Sequence, residues 1–221
     1  MVLSPTDDLP HAGAGVEEWV FAAWTPDAHV GVVSGHRLVA GGDWYWAAVV
    51  ETGRPLLHLT EWNVLRRADP FIVKAPEMWA EHHCVDPMKQ WTVGNEAHAA
   101  ALDVADEALG RAYGVPTAMA TDLEWYATGG IEAIDTATER GYRQVGVMHG
   151  LIELLGRPNL ELEEIPAVRW HRWSDRSDLG PLPLAAVIAH TGLRAPFAFP
   201  NGTVSDWVLT PAGWRARRRP A

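Results

Sequence analysis

The sequence predicts a mainly β, antiparallel protein whose strands fall into two halves. Short apolar or alternating runs recur from end to end, each broken by Gly, Pro or Asp. Their connections are too short for the crossovers that parallel strands require. The 221 residues suffice for one large β domain or for two small barrels or sandwiches packed together.

The elements follow in order. Residues 1–16 form an extension. Glu17–Trp24 is a strand that stops at Thr25-Pro26-Asp27, and His29–Val39 ends at Gly41-Gly42-Asp43. Trp44–Glu51 is rich in β formers and turns through Thr52-Gly53-Arg54-Pro55 into Leu56–Leu65, which makes a meander. Phe71–Ala75 and Met78–Cys84 follow. Trp91–Leu102 begins as a strand, but Ala97–Ala112 is alanine-rich and reads equally as a helix ending at Gly110 and Gly114-Val115-Pro116. The first half therefore spans 17–112.

The second half, 113–217, resumes the β rhythm in Ala118–Ala127, Tyr142–Leu155, Leu160–Glu164, Val168–Trp173, Leu184–His190, Thr203–Thr210 and Trp214–Arg217. Ile131–Arg140 reads as a short helix or ordered loop, and Asn201-Gly202 as a hairpin turn. A basic tail, 218–221, closes the chain.

Composition excludes several classes. The formal net charge of −10 works against general nucleic-acid or anionic-membrane binding. No apolar run is long enough for a membrane span, and the N-terminus lacks the pattern of a secretory signal, so a cytoplasmic location is expected. The single cysteine, Cys84, rules out an internal disulfide. There is no Gly-x-Gly-x-x-Gly after a strand, no phosphate loop and no Gly-x-Ser-x-Gly elbow. Adjacent His82 and His83 point opposite ways in a strand, and His98, His149 and His171 share no local spacing, so neither metal nor cofactor is expected.

Twelve tryptophans against four phenylalanines and four tyrosines are unusual. Each buried indole needs a partner for its N–H, which suits a cavity wall or a homodimer interface as well as a core. Period-two alternation puts Glu96 and His98 on one face, and Asp122, Glu124 and Tyr126 on one face opposite Leu123 and Trp125. Gln144 and His149 oppose each other, whereas Arg169, His171 and Trp173 share a face. A carboxylate beside a histidine in an apolar cavity can act as an acid–base pair. The catalytic candidates are accordingly Asp122, Glu124, His171, His149 and Glu96. Trp79, Glu81, His82, Trp91, His98, Trp125, Tyr126 and Trp173 are candidates for contact with substrate.

The segments Met78-Trp79-Ala80-Glu81-His82-His83-Cys84, Gln90–Ala97, Asp122-Leu123-Glu124-Trp125 and His149-Gly150 resemble a poorly characterised bacterial family related to the carotenoid hydratase and tocopherol cyclase-like superfamily. The resemblance covers roughly residues 18–215. It implies a lipocalin-like fold of two β-barrel halves and proton-initiated hydration or cyclisation without a redox cofactor. Where longer members carry Asp-His-Ser-Trp-Gly, this chain has Trp170-His171-Arg172-Trp173, so the acid would have to come from Glu81, Asp122 or Glu124. The expected function is non-redox acid–base cyclisation, hydration or isomerisation of a small hydrophobic, isoprenoid- or polyketide-like molecule. The alternatives are a binding or carrier protein with the same cavity, and an interaction protein with a Trp-rich interface.

Overall fold

The computed structural model describes residues 2–27, 29–103, 114–179, 194–198, 204–210 and 213–217, the last three segments as backbone only. After a 3-10 turn at Pro5–Asp8 come β1 (Val16–Trp24), β2 (Val30–Val39), β3 (Gly42–Glu51), β4 (Leu56–Val64), β5 (Ile72–Ala75), β6 (Met78–Asp86), β7 (Gln90–Leu102), β8 (Val115–Asp135), β9 (Arg140–Leu154) and β10 (Leu160–Ser174). Three further strands, β11 (Arg194–Ala198), β12 (Val204–Thr210) and β13 (Gly213–Arg217), form a separate antiparallel sheet.

The first ten strands make one antiparallel sheet in the order β4-β3-β2-β1-β10-β9-β8-β7-β6-β5. Its hydrogen bonding is ring-like, because one edge of β7 is divided between two partners. Gln90–Ala97 pair with β6, while Ala100, Ala101 and Leu102 pair with His58, Leu57 and Leu56 of β4. The last residues of β7 thus satisfy an edge of β4 that would otherwise present unpaired backbone groups. The expected boundary at 112/113 falls between β7 and β8, which pair from Gln90↔Tyr126 to Ala101↔Val115. Strands of both expected halves therefore share a single hydrogen-bond network.

Each face of this sheet carries its own core. The inner one contains Trp19, Phe21, Trp91, Leu123, Trp125, Met148 and Ile152. The outer one, on β1, β2, β3 and β10, contains Val20, Trp24, Val33, Trp44, Trp46 and Trp170. Because β1 to β3 are buried on both faces, they read as near-continuous apolar runs, whereas β6 to β9 alternate. Packing reaches the backbone at Gly146, where an added Cβ would lie 2.3 Å from the Tyr126 carbonyl and 2.6 Å from the Trp125 ring.

Several sequence expectations are corrected. Ala97–Leu102 continues β7 as strand, because β8 pairs with it on one side and β6 and then β4 on the other; residues 104–112 of the expected helix lie outside the described residues. Ile131–Asp135 is neither helix nor loop but the end of a 21-residue β8, paired with Arg140–Gln144. Leu160–Glu164 and Val168–Trp173 are one strand interrupted by a bulge between Leu162 and Ile165, with Glu164 at φ 46°. Leu184–His190, the Asn201-Gly202 turn and the tail 218–221 lie outside the described residues. No described helix is long and apolar enough to cross a membrane.

Candidate functional site

Cross-strand register places six inner-face residues in one row on six adjacent strands: Tyr142, His171, Trp19, His36, Tyr45 and Glu61. One level further in lie Gln144, Arg169, Phe21 and Ser34. Mostly apolar strands thus direct a band of polar side chains inward, and this band divides into three groups.

The first group is saturated. Asp8, fully buried at the end of the 3-10 turn, meets Arg169 through two guanidinium nitrogens at 2.6 and 3.2 Å. The Asp8 carboxylate also accepts from the Met88 backbone N–H at 2.6 Å, the Trp91 indole at 3.0 Å and the Tyr142 hydroxyl. Met88 presents that N–H from a tight turn in which its own φ is 65°. Arg169 is completed by Gln144 Oε1 at 2.8 Å and lies over the Trp125 ring at 4.6 Å. Burial alone would raise the Asp8 carboxyl, but the charge and hydrogen bonds of Arg169, with those of Met88 and Tyr142, hold it below its usual range. Every carboxylate oxygen has a partner, so this group anchors the N-terminal segment inside the sheet.

The second group is left incomplete. Ser34 Oγ contacts His82 Nε2 at 2.8 Å and the Tyr45 hydroxyl at 3.1 Å, and Asn95 Nδ2 donates to the same hydroxyl at 3.0 Å. His36 stands 5.9 Å from His82 between ring centroids. Four atoms of this group have no hydrogen-bond partner: both ring nitrogens of His36, Nδ1 of His82 and Oδ1 of Asn95. All three residues are at most 2% exposed. Burial pushes the His82 imidazole down to about 3 and that of His36 well below its ordinary value, so both are neutral at pH 7. Tyr45 is pushed up to about 12 by burial and so remains a phenol. Buried polar groups are nearly always satisfied by protein atoms or ordered water, and these four atoms have no partner among the protein atoms. Phe71 packs over this region, 4.9 Å from Trp19 and 6.3 Å from His36. Glu61, half-buried beside Tyr45 in the row, has its carboxyl raised by burial.

The third group lies at the mouth. Glu17 Oε1 is shared by His11 Nδ1 at 2.6 Å and His171 Nε2 at 2.7 Å. The His11 backbone N–H donates to Glu17 Oε2 at 2.9 Å, and the His11 ring stacks on Trp173 at 3.9 Å.

The residues expected from sequence divide between the two faces. His82, Trp91, Trp125, His171 and Trp173 point inward. Trp79, Glu81, Glu96, His98, Asp122, Glu124, Tyr126 and His149 are on the outer face of β6 to β9, where Trp79, Glu81, Glu96 and Asp122 line a cleft of about 340 Å³. His98 and Glu96 border a neighbouring open cleft of about 850 Å³. Glu124 accepts from the Tyr126 hydroxyl and faces His149 Nε2 at 3.4 Å. The sheet therefore separates Asp122, Glu124, His149 and Glu96 from His171, and the five do not form one site. Sequence reading passed over Asp8, His11, Glu17, Ser34, His36, Tyr45 and Asn95. The one available signal was Ser34 and His36 at period two, flanked on the same face by Val32 and Leu38.

Fold and site together define an antiparallel β protein with ring-like strand pairing and an inward-facing, incompletely satisfied polar cluster. No protein-family model matches the chain, and no curated protein matches it significantly.

Proposed function

We propose that this protein binds a small, largely apolar organic molecule inside the ring of strands, with the polar end of that molecule held by His36, His82 and Asn95. The supporting observation is the set of four unpartnered buried atoms on those side chains, surrounded by Trp19, Phe21, Phe71 and Trp91. Leaving such groups unsatisfied costs about 1–3 kcal/mol each, and a ligand that donates to Asn95 and to one imidazole removes that cost. Neutral imidazoles suit an uncharged hydroxyl or carbonyl better than a carboxylate. A lipocalin-like enclosure, which the resemblance implies, would shield the rest of the molecule.

A second reading is non-redox acid–base conversion of the same molecule. One observation favours it: Glu61 lies in the same inner row, and its carboxyl is biased toward the protonated form by burial.

Native mass spectrometry of the full chain after exposure to a host cell extract, compared with denaturing conditions, tests the proposal. One small molecule per chain is expected for wild type, with at least a tenfold loss of occupancy in His36→Phe. The ligand-free His36→Phe protein is expected to be as stable as wild type or more so, because the substitution removes two orphaned nitrogens. Wild type that emerges empty, or a His36→Phe variant that keeps full occupancy, would overturn the assignment.

A further inference from the structure

We propose that His11, Glu17 and His171 bind a divalent transition-metal ion of the zinc type at the mouth of the ring. The ligand atoms of these three side chains lie within 4.8 Å of one another. They come from the N-terminal segment, β1 and β10, and Glu17 and His171 are both almost wholly buried. Two imidazole nitrogens and one carboxylate oxygen form a donor set suited to zinc, and three protein ligands leave a coordination position free.

Three further features fit a metal. His11 presents Nδ1 to Glu17 while its Nε2 lies 3.3 Å from Asp7 Oδ1. A metal-ligating histidine characteristically gives its second nitrogen to such a carboxylate, which fixes tautomer and ring orientation. His171 Nδ1 has no hydrogen-bond partner and can take up the ring proton when Nε2 exchanges its 2.7 Å hydrogen bond to Glu17 Oε1 for the ion. Finally, a cleft of about 240 Å³, lined by Glu17, His11, Leu38 and Arg66 among others, reaches the cluster, so water can complete the coordination sphere. Coordination requires a bare Nδ1 on His11, with the ring proton on Nε2 facing Asp7, and leaves the Glu17 carboxylate as an anionic ligand.

The full-length chain, stripped with a chelator, would be titrated with Zn2+ by calorimetry and with Co2+ by visible absorption. The expected result is one ion per chain with a tetrahedral or five-coordinate Co2+ spectrum. His11→Ala, a change at a partly exposed position, should weaken Zn2+ binding at least a hundredfold while leaving the metal-free melting temperature within a few degrees. Asp7→Asn should weaken binding about tenfold, and an unchanged metal-free melting temperature in that variant separates this effect from the loss of its hydrogen bonds to Ser4. Absence of stoichiometric binding by wild type, or undiminished binding by folded His11→Ala, would overturn the proposal.

Discussion

At the scale of single residues, the decisive feature is that neutral imidazoles are buried among indoles and phenyl rings. Phe21 meets His82 edge-on at 5.2 Å, and Trp19 and Phe71 flank His36. Desolvation therefore dominates their titration and has a definite sign. Both histidines have folded values below the unfolded value of about 6.5, so the unfolded chain takes up protons first and stability falls as pH drops below about 6.5. For His82 the loss continues down toward about pH 3, and each such group contributes a slope of up to about 1.4 kcal/mol per pH unit. Urea unfolding midpoints should thus be flat from pH 8 to 7 and decline steadily from pH 6.5 to 4.5. His36→Phe should show a shallower decline. A variant with the same decline as wild type would remove His36 as a source of the pH dependence.

At the scale of elements, charge sets the position of the N-terminal segment. Ser4 begins the 3-10 turn, donating to the Asp7 carboxylate from its backbone N–H at 2.7 Å and from its hydroxyl at 2.8 Å. The turn then delivers Asp8 to Arg169. Removing the Asp8 charge leaves a guanidinium buried without its counter-ion, which typically costs about 3–5 kcal/mol. Asp8→Asn should therefore lower the unfolding free energy by roughly that amount. Because the Asp8 carboxyl is held below its unfolded value, its contribution is present at neutral pH and lost as pH falls through the folded value. Equilibrium unfolding at pH 7 checks the magnitude, and a change below about 1 kcal/mol would mean that water reaches Arg169. Protease cleavage within residues 2–15 should also accelerate in this variant, since Asp8 is the buried anchor of the segment.

At the scale of the whole molecule, the order of assembly follows from topology. The β8–β9 hairpin pairs residues close in sequence, whereas β1 and β10 join across contacts such as Glu17–His171, 154 residues apart. Closing that long loop is entropically expensive, so local pairing should form first. In stopped-flow measurements Ile152→Val, in the hairpin, should mainly slow folding, whereas Val20→Ala, at the β1–β10 seam, should mainly speed unfolding. The reverse pattern would place the seam in the folding nucleus.

The sequence by itself determined the antiparallel β class, most strand positions from β1 to β10, and the faces of Glu96, Asp122, Glu124, His149 and Arg169. Those properties are local: turn residues set the boundaries, and period two sets the faces. What the sequence could not determine was which face is interior. On β6 to β9 the polar, acid-rich face, which carries most of the acid–base candidates, is the outer one, while β1 to β3 carry no alternation because both of their faces are buried. Likewise, nothing in the local spacing relates His11 to His171, or Ser34 to His82. Only ring-like pairing, with β1 hydrogen-bonded to β10 and β4 to β7, brings those residues together. Tertiary structure decided the site because its polar partners are separated by long stretches of chain and joined through strand register, a property of pairs of strands that no single segment encodes.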